Sequence, residues 1–334
     1  MSCGQYLGGG PVKIFRKHAA PRFRGVGLAS AVCSAVKIVP YTTLVAWSIN
    51  FLVDTVSAFL AKDARLPWAT CDHPWNDPCC WEVGNGSAGL LACGAVFQYF
   101  RHNFLGNETQ LDDESLSLGW PENYKGPFCL LAAWLVTYTV IACGLKFTGR
   151  VVHFTATFPY PIFVVLGVRV FVDSAMDWDK FRDIVLPLDW WTRLWTLQTW
   201  KAAFRHACFT FAVGRGTLTV LAKYSPKSNN IYRDGLVVAL VDTCSGILGA
   251  LLMSGILVVT RAHITEVAGL EESERLFMIF VSYAHGVASF DHYSFAYAFL
   301  LFLGMTLLGV DVLFGWLGHR RLDGFGLVDQ AVAV

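Results

Sequence analysis

Two carboxylates stand where the sequence is otherwise apolar: Asp242 inside the run 235–260 and Asp311 inside 293–318. A charge at the centre of a bilayer costs ~2.5–3.5 kcal/mol on insertion scales. An acid kept there must therefore face protein, an ion or water. Two chemistries suit such a group. It can serve as a hard oxygen ligand for a cation, or it can form a structural pair with Arg169, Arg205 or Arg215. The Leu, Ile and Val residues around Asp242, at roughly −0.3 to −0.6 kcal/mol each, offset its cost, so the run still inserts. The stretch 200–223 holds Arg205, His206, Gly214, Arg215 and Gly216 in one apolar context. Glycines beside polar groups in a span predict a broken helix whose freed backbone groups line a cavity. The plainer use of such glycines is close helix packing. A phosphate loop is excluded, because no strand precedes the Gly-x-Gly pair and a third glycine is missing. His206 and His153 are single histidines on apolar faces, a setting that is more often structural than metal-binding. Pro159 and Pro161 kink the run 151–172.

A second chemistry lies in a polar loop. Cys71 precedes Cys79 and Cys80 by eight or nine residues, which suggests a disulfide in an oxidising exterior. The competing zinc site lacks a second CxxC-like half. Cys33, Cys129, Cys143, Cys208 and Cys244 lie in apolar runs and read as small hydrophobes. The same loop carries two glycosylation acceptors, Asn85-Gly86-Ser87 and Asn107-Glu108-Thr109.

The elements that must position these groups follow from composition. Of 334 residues, 54% are hydrophobic and 15% charged, against about 25% charged in an ordinary soluble domain. The net charge of +1 is too balanced for a nucleic-acid binder. The 12 Trp, 25 Phe and 11 Tyr suit aromatic belts at lipid–water interfaces. The expected fold is an all-α membrane protein with about six transmembrane helices near 26–60, 127–145, 151–172, 200–223, 235–260 and 293–318. Shorter runs at 88–100 and 276–290 fit helices on or dipping into the surface. The first 25 residues carry Lys13, Arg16, Lys17, Arg22 and Arg24 and no signal-peptide core. The loop 61–126 is acidic, the short turns at Lys146–Arg150 and Lys223–Arg233 are basic, and 173–199 and 266–274 are acidic again. This alternation places the lead 1–25 and the tail 319–334 in the cytoplasm and the loop 61–126 outside. A broken helix, intramembrane acids and a large outer loop point to a transporter or channel. No His, Cys or carboxylate cluster at ligand spacing speaks for an enzyme.

Four motifs in order resemble the neurotransmitter:sodium symporter family. Gly4-Gln5-Tyr6 resembles the end of that family's second span, and Leu66-Pro67-Trp68 with Cys71, Trp75 and Asn76 its outer-loop signature. Thr148-Gly149-Arg150-Val151-Val152 and Phe154-Thr155-Ala156-Thr157-Phe158-Pro159-Tyr160 resemble its turn into the fifth span. Asn229-Asn230 with Tyr232-Arg233-Asp234 is similar to its cytoplasmic NN-x-YRD loop. The resemblance covers roughly residues 3–318 and implies part of a LeuT-type inverted-repeat bundle. The expected spans correspond to the family's third to eighth of twelve, so the chain reads as a fragment unable to transport alone.

The resemblance also implies site residues. Tyr41 matches a tyrosine that caps substrate, Phe209 an aromatic gate, and Arg215 falls at a substrate-lining aromatic. Thr210, Asp242 and Asp311 match sodium ligands, Asp242 replacing an asparagine, while Val312 replaces the serine that usually follows the last. His206 and Gly246 replace a glutamine and a serine associated with chloride. The implied function is sodium-coupled symport of amino acids, amines or related solutes across the plasma membrane. A carboxylate at Asp242 would supply the negative charge that chloride otherwise brings, so chloride dependence is expected to be weak or absent. The rival reading is a non-transporting, degenerate paralogue that binds or regulates full-length transporters.

Overall fold

In lipid only segments that satisfy their own backbone hydrogen bonds can cross, and for runs of this length the solution is the α-helix. The structure, a computed structural model, describes residues 1–18, 23–63, 65–84, 93–105, 124–173, 176–223, 225–259, 272–290 and 293–322. Among these the regular elements are helices, with one isolated bridge between Trp81 and Gly94. Helices α1 (Ser2–Leu7) and α2 (Pro11–His18) lead into α3 (Arg24–Ala61). A short α4 (Ala95–Gln98) runs into a π-helical turn, Tyr99–Leu105. Then follow α5 (Lys125–Ala142), α6 (Leu145–Thr157) and α7 (Pro159–Val172). Beyond them come α8 (Trp178–Val185), α9 (Trp190–Leu194), α10 (Leu197–Thr210) and α11 (Thr217–Ala222). The last three are α12 (Ile231–Val259), α13 (Glu272–Ala288) and α14 (Ser294–Leu322).

Five helical segments are long and apolar enough to span a membrane: Gly25–Ala61, Lys125–Ala142, Phe147–Val172, Ile231–Val259 and Ser294–Phe314. The 38 residues of α3 rise about 57 Å, well beyond a ~30 Å hydrocarbon core. The pair α6–α7 is one span restarted at Pro159, whose missing N–H costs nothing at a first helical position. The stretch 200–223 does not form one helix: α10 stops at Thr210 and α11 starts at Thr217.

Close approach fixes the bundle. A Cβ on Gly309 of α14 would meet Val45 of α3 at 2.5 Å, and one on Gly255 of α12 would meet Val170 of α7 at 2.6 Å. At the other end α1 lies on α11, where a Cβ on Gly4 would sit 1.9 Å from the Thr219 carbonyl. Gln5 Nε2 donates to the Pro226 and Asn229 carbonyls at 2.5 and 3.0 Å, tying the lead to the loop before α12.

The described parts of the outer loop, 65–84 and 93–105, pack against α3, α13 and α14. Phe51 stacks on Phe302 at 4.6 Å and meets Trp68 edge-on at 4.9 Å. Trp68, fully buried, donates its indole N–H to the Ala284 carbonyl at 3.2 Å. Two disulfides close the loop, Cys71–Cys80 and Cys79–Cys93. The first is one of the pairings the spacing suggested; the second was missed, because Cys93 follows Leu90-Leu91-Ala92 and reads as one more apolar residue. Asn50 Nδ2 donates to the Tyr99 hydroxyl at 2.9 Å, and that hydroxyl donates to Asp54 Oδ2 at 2.5 Å. Lys125 Nζ reaches the same carboxylate oxygen at 3.0 Å. Burial and then the adjacent Asp54 carboxylate push the Tyr99 phenol well above its ordinary value. Asn85 and Asn107, the glycosylation acceptors, lie outside the described residues.

His285 on α13 meets the edge of Trp81, ring centroids 5.7 Å apart. Neither of its ring nitrogens has a hydrogen-bond partner among the described residues, and burial pushes the imidazole down to about 4. The folded state holds it neutral, whereas the unfolded chain protonates near 6.5. Between those values the unfolded state binds more protons, so stability falls as pH drops from about 6.5 to about 4, by about 3 kcal/mol in all. Thermal unfolding of the purified protein across this window should show the loss, and His285→Phe should flatten it.

Candidate functional site

The segment 211–216 explains its own shape. Ala212, Gly214 and Gly216 take φ of 50°, 78° and 76°. Left-handed conformation costs an L-residue roughly 1–2 kcal/mol and a glycine little, so this turn needs glycine at two of its three positive-φ positions. Three such residues in five reverse the chain and end α10. Arg215, only 7% exposed, is carried back over the helix it follows. Its guanidinium lies 4.8 Å from the Phe209 ring centroid, and its Nη2 donates to the Phe209 carbonyl in the last turn of α10. The Ser34 hydroxyl of α3 donates to the Arg215 carbonyl at 3.2 Å, which anchors the turn to the bundle. Gly216 packs on Pro11 so closely that a Cβ would lie 2.1 Å from its Cγ.

Beside this break, α10 and α12 enclose a cleft of about 350 Å³ lined by His206, Thr210, Asp242, Thr243 and Gly246 among apolar neighbours. Four of the residues singled out in the sequence, His206, Thr210, Asp242 and Gly246, thus share one wall-to-wall space. Thr210 donates its hydroxyl hydrogen back to the His206 and Ala207 carbonyls at 3.2 and 3.3 Å, leaving oxygen lone pairs for a ligand. Asp242 has no ion-pair partner among the described residues. The structural pair offered as its alternative role is therefore not formed. Arg169 bonds Asp173 at 2.7 Å and Arg215 turns onto Phe209. A Cβ extension at Gly246 would enter open space. The face of α12 is oriented by Tyr160 of α7, whose hydroxyl shares a 2.9 Å hydrogen bond with Ser245.

Asp311 sits elsewhere. Its carboxylate accepts from Thr155 of α6 at 3.1 Å, in a cluster to which Tyr41, Val151, Val152 and Val312 contribute. Tyr41 is half-buried there, with α3, α6 and α14 around it. Phe209 is 46% exposed, beneath the guanidinium rather than in the cleft lining. The structure thus forms two groups, the cleft of α10–α12 and the Tyr41–Thr155–Asp311 cluster, with the break and Arg215 as a third feature. Thr155 was overlooked as a partner, and so was Asp54; the signal available for Asp54 was the same as for Asp242, an acid inside an apolar run. Among the described residues no three His, Cys, Asp or Glu side chains converge to hold a metal.

Coverage is uneven. The membrane-length window of α12 is 6% buried and α10 has no buried residue, against 44% for the window of α14. Phe204, Leu236, Leu240 and Val241 are among the large apolar side chains left exposed.

These are the features of a multi-pass helical membrane protein with a helix interrupted beside a largely apolar cleft that holds His206, Thr210 and Asp242. A model of the Sodium:neurotransmitter symporter family matches residues 1–319, and the chain belongs to that family, whose members are transporters and not enzymes. The mouse sodium- and chloride-dependent creatine transporter 1 is 32% identical over 349 residues, covering 98% of this chain and 51% of the relative. The Torpedo marmorata creatine transporter is 32% identical over 265 residues, 77% of this chain and 40% of the relative. The mouse sodium- and chloride-dependent GABA transporter 2 is 31% identical over 315 residues, 92% and 49% respectively. The chain spans about half the length of the curated relatives it matches. The names of these relatives lend no support to a weak chloride requirement.

The turn gives a direct test of its geometry. Gly214→Ala meets no neighbour and should cost only the left-handed backbone penalty, about 1–2 kcal/mol. Gly216→Ala bears the same penalty and also collides with Pro11, so its midpoint of thermal unfolding should fall further than that of Gly214→Ala.

Proposed function

We propose that this chain is the ion- and substrate-handling part of a sodium-coupled symporter of amino acids, amines or related small solutes, working across the plasma membrane with both ends of the segment cytoplasmic. The observation that carries the reading is the convergence of Thr210 and Asp242 on one cleft beside a helix break. A hydroxyl and a carboxylate are hard oxygen donors of the kind that hold a small cation. Carbonyls at an unwound half-helix end add further donors. Asp311 with Thr155 supplies a second carboxylate position outside the cleft lining, and Val312 beside it offers no side-chain oxygen. Sodium at Thr210 and Asp242 would fix α10 against α12, and the roles the family resemblance implies for Tyr41 and Phe209 at substrate are not met within this cleft. The ion gradient then drives the change from outward to inward access.

The cleft is open and the faces of α10 and α12 are largely uncovered. Hard cations need a nearly complete oxygen shell, so further family segments are needed to close the site. Cells expressing the 334-residue chain alone should show no sodium-dependent uptake of creatine, GABA or glycine above control. Sodium-dependent uptake by the chain alone would overturn this. A second reading, a paralogue that binds or regulates full-length transporters, is favoured by Arg215, whose bulk fills the break. Co-expression with a full-length relative, reading both co-purification and uptake, separates the two.

The expectation of weak chloride dependence drawn from Asp242 is not supported, because the creatine and GABA relatives are named as sodium- and chloride-dependent. In an assembled, transporting form, replacing chloride by gluconate should therefore reduce sodium-dependent uptake severalfold.

A further inference from the structure

The interrupted helix carries an arginine whose contacts are unusual for a side chain beside a cation cleft. The C-terminal end of an α-helix exposes carbonyl oxygens and bears a partial negative charge, which attracts cations. In α10 that end falls at Phe209–Phe211, one turn from the cleft residue His206 and adjoining Thr210. Backbone amides answer part of it: Ala212 N donates to the Phe209 carbonyl at 3.2 Å and Val213 N to the Cys208 carbonyl at 3.0 Å. The rest is answered by Arg215. Its Nη2 donates to the same Phe209 carbonyl, and its guanidinium lies over the Phe209 ring at 4.8 Å. The residue is buried, and its own carbonyl is tied to Ser34 at 3.2 Å, so the arginine is built into the turn. The positive φ values at Ala212, Gly214 and Gly216 are what bring the side chain back to the helix it caps.

We infer that the Arg215 guanidinium is a resident cation, tethered at the broken end of α10, which holds the turn in the conformation that a bound sodium ion would otherwise be needed to stabilise. This rests on the reading of the α10–α12 cleft as a cation site and adds what that reading lacks: part of the positive charge at the break is permanent. The consequence is a turn indifferent to sodium. A free cation approaching the same carbonyl end meets a fixed positive charge and one oxygen already taken. The half-helix therefore does not loosen when the ion leaves, and the coupling between ion occupancy and the shape of the break is weakened at this position. Asp242, unpaired among the described residues, remains available across the cleft.

The test is backbone hydrogen exchange of residues 207–216 in the full chain reconstituted in lipid nanodiscs, in sodium chloride and in choline chloride of equal ionic strength. Arg215→Gln keeps a donor of shorter reach and removes the charge; Arg215→Lys keeps the charge and serves as the folding control. The wild-type protein should exchange at the same rate in both salts. Arg215→Gln should exchange about tenfold faster or more in choline and be slowed by sodium when both salts are raised to about molar concentration, where even an open, weakly binding oxygen site fills, while Arg215→Lys should follow the wild type in its indifference to sodium. Unchanged protection of Arg215→Gln in choline would show that the guanidinium does not hold the turn. Slowing of wild-type exchange by sodium would show that the position is not already filled. Loosening that sodium does not reverse would leave a helix cap and remove the cation-replacement role. If Arg215→Gln elutes as aggregate, the comparison of salts on the wild type and Arg215→Lys still decides the second outcome. None of these results depends on uptake, so failure of the symporter reading is registered separately by the transport measurements.

Discussion

The requirement that every backbone group within the apolar layer find a partner governs this structure. Continuous helices meet it automatically, and the spans of α3, α5, α12 and α14 need nothing further. Residues 211–216 cannot meet it that way, because two glycines and an alanine in left-handed conformation end the helix inside an apolar stretch. The freed groups are answered locally by turn hydrogen bonds, by Arg215 on the Phe209 carbonyl and by Ser34 of α3 on the Arg215 carbonyl. The packing of Gly216 on Pro11 and of α1 on α11 follows from where that turn must sit. The cleft lies beside it, between the last turns of α10 and the facing stretch of α12.

The rest of the molecule divides into a well-packed side and an exposed one. On the first, α3 and α14 lie together along their length and enclose Thr155 and Asp311 in a dense cluster with Tyr41. On the second, α10 and α12 carry Thr210 and Asp242 with little covering them. The chain spans about half the length of the curated relatives it matches.

Outside the spans, rigidity has a different source. The segment 65–84 has little regular structure of its own, so two disulfides, the Trp68–Ala284 hydrogen bond and the edge-on contact of Trp68 with Phe51 hold it in place. The Asn50–Tyr99–Asp54–Lys125 chain does the same by hydrogen bonds and charge. His285, buried with no hydrogen-bond partner among the described residues, makes stability sensitive to acid.

Much of this was legible in the residues. Apolar length located the spans, because helix formation in lipid depends on local composition alone. The glycines flanking Arg215 announced the break, since few other residues accept left-handed backbone, and the motif order identified the family. Cys93, Thr155 and Asp54 were not legible as site or framework residues, because each acquires its role from a partner at least 14 positions away. The sequence by itself determined a fold built of long apolar helices, the interruption in the segment before α12, and the family, while expecting six spans where five described segments are long and apolar enough to cross. Only the tertiary structure decided that Asp242 faces a cleft with Thr210 while Asp311 is bonded to Thr155, and that Arg215 serves the helix end instead of pairing with Asp242. Such pairings depend on the path of the chain between distant positions, and a buried charge is committed by the geometry of its neighbours.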